Sequence, residues 1–600
     1  MEIGDSTARG RRWFWVVTLA LTLLCLAIRI THLTALPIFG DEAIYLRWAQ
    51  LIRQDPVRNA FVSVADPKPP LHFWLMAILW PVNADPLMSA RLISAVAGAL
   101  TVPGLLLLCR RLGALVKERE GGGNRAIELF GPIACLLMIF CPFLAFYQRM
   151  ALADALFVLE SVLVAWVSLE FAAALRWGTK KQMVGTTAGL GVLMGLTMLT
   201  RQNVSYVLWV LPVVAFCLSG RCAKGEDRDA ASPMGERTVT WERTWGRFAL
   251  GLLVASVLAG AIWCPMLLCK TGPDTKMRIL NQPQFTESKT PGERIALAEK
   301  NFVNVFVPTY AAGAGAGALP LTGWYWVYLT PGMLVGSVVA MVWMAVRGQC
   351  RLAVFLLVWV GILLVPLIVM GSVVYSRYSL SAVVPMLIGL AYMIADIGAV
   401  AAMKWGGAVG AIAGGLTLVA ALGQGVRDTS VQVADWSHQR MVAQDYYQYI
   451  NGWTAGFATD AALKYVRQMA AGRPVVVITD DRWGLPADGF WVYLQGQPNV
   501  RLYYRDQLSQ QPILQAGEHA GRYIVRQDKW LYTPAVQADI ASDALVLFVC
   551  NDPVHGAKDA GAVDFYKQRN EIAEVVSFSN PVGGGKGAMP EHVVVLFLRH

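Results

Sequence analysis

Apolar stretches of membrane-spanning length alternate with short polar ones from residue 13 to residue 423. A transmembrane helix needs about 20 mostly apolar residues, and about eleven stretches reach that length. They cover residues 13–33, 88–109, 127–146, 152–174, 183–200, 203–219, 248–269, 324–346, 352–371, 379–400 and 406–423. The pattern predicts a polytopic α-helical membrane protein. Beyond residue 423 the apolar runs shorten to strand length, at residues 475–479, 500–504, 522–526, 545–549 and 592–598. Helical patterns at 460–470 and 489–494 fall between them, an alternation that predicts a small α/β domain. The expected organisation is therefore a membrane domain, 1–423, followed by a C-terminal extracytoplasmic α/β domain, 424–600. No solenoid-type repeat is apparent.

The basic residues between the spans orient the chain. Arg9, Arg11 and Arg12 precede the first span, Arg110, Arg111, Lys117 and Arg119 follow the second, and Arg176, Lys180 and Lys181 follow the fourth. Arg221, Lys224 and Arg228 follow the sixth, Arg347 and Arg351 the eighth, and Lys404 the tenth. All fall on one side if the N-terminus is cytoplasmic, as the positive-inside rule requires, and an odd number of spans then leaves the C-terminal domain outside. The net charge of +10 is thus a signature of topology, with membrane lipid as the contact and nucleic acid not expected. Only 15% of residues are charged and 56% are hydrophobic, against about 25% charged in soluble proteins. The first apolar run could imitate a signal peptide, but no small-residue cleavage site follows it, so it is expected to stay as a helix. The 10 cysteines form no CxxC pair and show no disulfide framework.

Unusual polar residues gather in the loops assigned to the outer side. Gly40-Asp41-Glu42-Ala43 follows the first span, and Asp66-Pro67-Lys68-Pro69-Pro70 lies further along the same loop. Arg149 closes the third span, Asp154 opens the fourth, Arg201 caps the fifth and Arg377 follows the ninth. Charges at one depth imply a shared cavity, because an arginine facing lipid costs about 2.5–3.5 kcal/mol. A loop at 270–322 carries an expected amphipathic helix at 289–300 and a flexible Gly/Ala turn at 311–318. At the junction with the C-terminal domain, residues 446–453 are rich in tyrosine, suited to a membrane interface or to stacking on a sugar ring.

Asp-Glu and Lys-Pro-Pro in the first external loop resemble the motifs of GT-C glycosyltransferases that use lipid-phosphate sugars. The likeness points to the bacterial branch of the protein O-mannosyltransferase superfamily, which includes aminoarabinose transferases, and covers roughly the first two-thirds of the chain. The resemblance implies a GT-C-like fold and sugar transfer from a polyprenyl-phosphate sugar donor to the hydroxyl of an acceptor glycan, lipid or protein, with inversion. It makes Asp41 the catalytic carboxylate, with capping of the following helix as the alternative. Glu42 either shares that site or serves first-turn amides. Asp154 positions the base loop or binds acceptor, or else forms an ion pair with Arg149 or Arg201.

The same resemblance makes Lys68, fixed between prolines, a contact for the donor phosphate; the alternative is a lysine reaching lipid headgroups. Arg377, Arg149 and Arg201 are the further candidates for phosphate binding, with a helix-end anchor as the alternative for Arg377. Relatives can carry a metal-binding carboxylate just before this lysine, where Pro67 stands here and Asp66 lies one residue back. A divalent metal is therefore left open, and His72 has no paired ligand spacing around it. The competing class of function is a lipid or sugar transporter, which calls for polar groups or broken helices near midmembrane.

Overall fold

The computed structural model describes residues 3–66, 68–80, 85–113, 116, 125–219, 241–268, 290–309, 323–480, 484–505, 514–516, 523–525, 544–551, 560–582 and 591–599. Among them, eight helices are long and apolar enough to cross a membrane, and three shorter apolar helices, Leu129–Ile139, Tyr206–Ser219 and Thr330–Val346, join them. Each expected span has a counterpart. Helices Pro86–Gly113, Asp154–Trp177 and Leu380–Trp405 are largely buried and form the centre, whereas the first helix and Gly407–Ala434 expose most of their apolar side chains. That exposure is the face a bilayer covers. Helices Leu380–Trp405 and Gly407–Ala434 meet where a Cβ on Gly410 would run into Ala402 and the Gly398 carbonyl, so small residues set their close approach.

Two expected spans are interrupted, for legible reasons. The third breaks after Ile139 and restarts at Pro142, which supplies no backbone N–H and suits a first helical turn. Arg29, fully buried on the first helix, donates to the Ile139 carbonyl at 3.0 Å and to Gln148 Oε1 at 2.9 Å. The eighth divides into Trp324–Tyr328 and Thr330–Val346, with Pro331 in the first turn of the second piece. The last helix overruns the expected domain boundary and continues to Ala434, its polar end turns carrying Arg427 and Asp428.

The expected surface helix is observed at Pro291–Phe306, started by a reciprocal cap between Thr290 and Glu293. The Gly/Ala turn at 311–318 lies outside the described residues, as do Pro67 and most of the loop at 270–322.

The C-terminal domain has a five-stranded sheet built from β1 (Val475–Thr479), β2 (Val500–Tyr504), β5 (Leu545–Asn551), β6 (Ile572–Ser579) and β7 (His592–Leu598), in the order β2-β1-β5-β7-β6. β1 is parallel to β2 and β5; β7 is antiparallel to both β5 and β6. β3 (Leu514–Ala516) and β4 (Tyr523–Val525) form a separate antiparallel pair, so the expected strand at 522–526 stands outside the main sheet. β6 was not expected: it is an edge strand whose Glu574, Ser577 and Ser579 interrupt the apolar run. Helices Phe457–Ala470 and Ala487–Leu494 pack on one face and Tyr566 of Ala560–Lys567 on the other. Glu591 accepts the N–H groups of Ala458 and Thr459, capping the first of these helices.

The two domains meet through the helix that carries Asp41. Arg47 of Gly40–Gln54 lies over the Trp491 ring, 4.2 Å from its centre, and donates to Tyr504 Oη at 3.0 Å and Gln495 Oε1 at 2.8 Å.

Candidate active site

The first external loop turns into helix Gly40–Gln54 directly after an extended Phe39. Asp41 is therefore inside the first turn, not its cap, and its side chain is free to face across the bundle end. Asp41 Oδ2 accepts from a terminal nitrogen of Arg377 at 2.7 Å, and its side chain keeps 27% of its surface open. Burial acts to raise the Asp41 pKa, but the Arg377 guanidinium and the Lys68 ammonium outweigh it and hold the carboxyl below the usual aspartate value.

Lys68 is held by its main chain. Its N–H donates to the Ser63 carbonyl at 3.2 Å, and its own carbonyl accepts from Ser63 Oγ at 2.9 Å. The ammonium lies 4.8 Å from the centre of the Tyr45 ring, 5.8 Å from that of Trp48, and 3.2 Å from Asp66. Burial alone would lower its pKa; Tyr45, Asp41 and Asp66 together raise it, so it remains charged. About a third of the Lys68 side chain stays exposed. A cation on an aromatic floor, with an open side and a partner, Asp66, that is itself a third exposed, can take an anion on its free side.

Glu42 belongs to a different construction. It is completely buried, and each of its oxygens accepts two hydrogen bonds: Oε1 from Arg91 Nε at 2.9 Å and Ala151 N–H at 2.6 Å, Oε2 from Arg91 at 2.6 Å and Phe39 N–H at 3.1 Å. Arg91 in turn donates to the carbonyls of Leu33, Leu36 and Pro37. No acceptor capacity on Glu42 is left for a substrate. The geometry corrects the expectation of a second catalytic carboxylate here, because saturation by four donors makes Glu42 a fastener for the Asp41 loop.

Asp154 pairs with Arg201 at 2.7 Å, and Arg201 lies 4.8 Å from the centre of the Tyr378 ring. This pair adjoins the Arg377 turn, and of the sequence alternatives for Asp154 the ion pair is the one observed. Arg149 is not in this group. Its guanidinium is spent on the carbonyls of Thr31, His32 and Gln432, at 2.7, 3.1 and 3.4 Å, which fasten the end of the first helix to the end of the last. The structure thus corrects Arg149 as a phosphate ligand. His72 is fully buried, and burial pushes its pKa down to about 4. Among the described residues no three His, Cys, Asp or Glu side chains converge as a metal site.

In the tyrosine-rich junction Tyr446 and Tyr449 are buried against the membrane domain, whereas Trp453 stays 40% exposed. Tyr449 Oη accepts from Arg377 at 3.3 Å, and its ring packs 4.6 Å from Phe39 and 5.2 Å from Phe146. Asp445 is wholly buried beside it and accepts from Ser376, Tyr328 and Tyr147 at 2.5, 2.6 and 3.2 Å. Neither Asp445 nor Arg91 was expected. Arg91 had a signal, a charge inside an apolar stretch; Asp445 had only its place at the edge of the tyrosine run. Nearby, a cleft of about 560 Å³ opens between Thr34–Ile38, the start of helix Pro86–Gly113 and helix Phe457–Ala470.

The same architecture occurs in a solved enzyme structure. ArnT from Cupriavidus metallidurans bound to undecaprenyl phosphate superposes with a TM-score of 0.50 at 15% identity, over 99% of this chain and 98% of that one. The GT-C fold is the fold of this chain. The apo structure of the same ArnT gives a TM-score of 0.49 at 15% identity, with 98% of each chain covered. An Archaeoglobus fulgidus oligosaccharyltransferase tethered with an acceptor peptide gives 0.45 at 13% identity, over 82% of this chain and 63% of that one. No protein-family model and no curated protein sequence matches the chain.

Proposed function

We propose that the protein is a membrane glycosyltransferase that moves a sugar from a polyprenyl-phosphate donor to an acceptor hydroxyl, with inversion at the sugar carbon. The observation that carries this reading is the meeting of Asp41, Arg377 and Lys68 at one end of a GT-C fold, one carboxylate partly open between two cations. The full-length likeness to an ArnT structure holding undecaprenyl phosphate supports a lipid-phosphate donor.

In the proposed reaction the acceptor oxygen attacks the anomeric carbon while the bond from that carbon to the phosphate oxygen breaks. Asp41 takes the acceptor proton, and Arg377 and Lys68 receive the charge that grows on the departing polyprenyl phosphate. Arginine suits this because its planar fork can hold two phosphate oxygens at once. The donor phosphate also prepares the base. Once it occupies Arg377 and Lys68, part of the positive field on Asp41 is neutralised and the carboxylate becomes a better proton acceptor. Asp154 and Arg201 support the Arg377 turn from the side.

The reading has the N-terminus in the cytoplasm and the site outside, the orientation in which the basic residues between the spans obey the positive-inside rule. The exposed Lys464 offers a test, because Cys550 is buried: Lys464→Cys should label from outside intact cells, and labelling only after permeabilisation overturns the orientation. The function is tested by titrating undecaprenyl phosphate into the protein in nanodiscs, together with mass spectrometry of lipids, glycans and proteins from cells with and without the gene. Saturable binding and a missing glycosylated product are expected. No binding and unchanged glycosylation would reject the reading.

A further inference from the structure

We propose that the junction segment from Asp445 to Gly456 positions the reactive pair, with Asp445 and Tyr449 as positioning residues for Arg377 and the same segment fixing the helix that carries Asp41. This rests on the functional reading above and gives the junction a part in donor-phosphate binding.

The segment grips the Arg377 side at two points, through Asp445 and through Tyr449. Ser376, the residue before the arginine, is hydrogen-bonded to Asp445 Oδ2 at 2.5 Å, and the same oxygen accepts Tyr147 from the end of helix Pro142–Tyr147 and Tyr328 from helix Trp324–Tyr328. One carboxylate oxygen therefore joins two separate parts of the membrane domain to the arginine turn. Tyr147 Oη also lies 2.8 Å from Ser376 Oγ, and the far end of the turn is held by Tyr325, which donates to the Ser379 carbonyl at 3.1 Å. The guanidinium itself reaches Tyr449 with one nitrogen and Asp41 with another. Its direction is thus set by a junction hydroxyl as well as by the carboxylate it meets.

The segment grips the Asp41 side as well. The Gly40 N–H donates to the Thr454 carbonyl at 2.9 Å, and Tyr449 packs on Phe39, two residues before Asp41. Gly456 sits at φ +88°, and a Cβ there would strike the Ile38 carbonyl, so the backbone of the junction and that of the Asp41 loop lie in direct contact. Both members of the pair are consequently referenced to one short piece of chain. The arrangement is costly: Asp445 is fully buried, and its Oδ1 has no hydrogen-bond partner among the described residues. Such a carboxylate contributes little as packing alone, and of its three hydroxyl donors Ser376 belongs to the arginine turn and Tyr147 touches Ser376.

Three variants in nanodiscs test this, with undecaprenyl phosphate as the probe. Tyr449→Phe keeps the ring and removes only the hydroxyl at Arg377, and should weaken undecaprenyl phosphate binding about fivefold with little change in melting temperature. Asp445→Asn keeps the shape and removes the charge, and should weaken binding about tenfold. Trp453→Phe, at a partly exposed position of the same segment, should bind as the wild type does. The pH dependence gives a signature that packing would not move. Protonating Asp41 frees Arg377 for phosphate, so binding carries an acid inflection from Asp41. Loosening Arg377 in Tyr449→Phe should shift that inflection upward, toward the ordinary aspartate range. If the wild type binds while Tyr449→Phe matches it in affinity and in inflection, the positioning role is wrong and the functional reading stands. If the folded wild type binds no undecaprenyl phosphate, the functional reading falls and takes this inference with it.

Discussion

Asp41 and Glu42 are neighbours in sequence, each is paired with an arginine, and their surroundings are opposite. Glu42 is sealed, with four donors on its two oxygens and an arginine that is itself only 1% exposed. Asp41 has one ion pair, a second cation in range and a quarter of its side chain open. A saturated carboxylate has no lone pair to offer a reacting hydroxyl, and its removal strands a buried guanidinium. An unsaturated one between cations can exchange partners when an anion arrives. The comparison teaches that a helix turn can place two adjacent acids on different faces and so give one to the scaffold and the other to chemistry.

The largest effect should come from the open side of the comparison. Asp41→Asn keeps shape and removes the base, so turnover should fall by roughly 10²–10⁴ while undecaprenyl phosphate binding persists or tightens, because Arg377 loses a competitor. Lys68→Ala should reverse that pattern, weakening donor binding, with part of the loss recovered in Lys68→Arg because charge returns in a different geometry. Single-turnover rates and donor affinities in reconstituted membrane separate the two. Near-normal turnover in Asp41→Asn would move the base elsewhere, with Asp154 next to test.

On the sealed side, Glu42→Gln should cost about 3–5 kcal/mol of folding stability, the usual result of stranding one partner of a buried pair. Thermal or denaturant unfolding in detergent measures it, with Asp41→Asn as the milder comparison. Equal stability of the two variants would erase the distinction drawn between them. Glu42→Gln is therefore unsuitable as a silent neighbour in experiments on Asp41.

The sequence by itself determined the spans, the strands of the C-terminal sheet except its polar-interrupted edge, and the motif that draws attention to Asp41 and Lys68. These are legible because they rest on local properties: apolar length sets a membrane helix, period and β-branched runs set a buried strand, and consecutive prolines restrict a lysine. The tertiary structure alone decided which charges share a site. Arg377 lies 336 residues from Asp41 and meets it, whereas Arg149, in the same group of outer-loop charges, is consumed by carbonyls at the end of the first helix. It also decided that Glu42 belongs to Arg91 and that Tyr449 of the junction faces inward to Arg377. Partner choice among buried charges depends on which helix ends come together and which donors remain unfilled there, and neither quantity is written in the residues' own neighbourhoods.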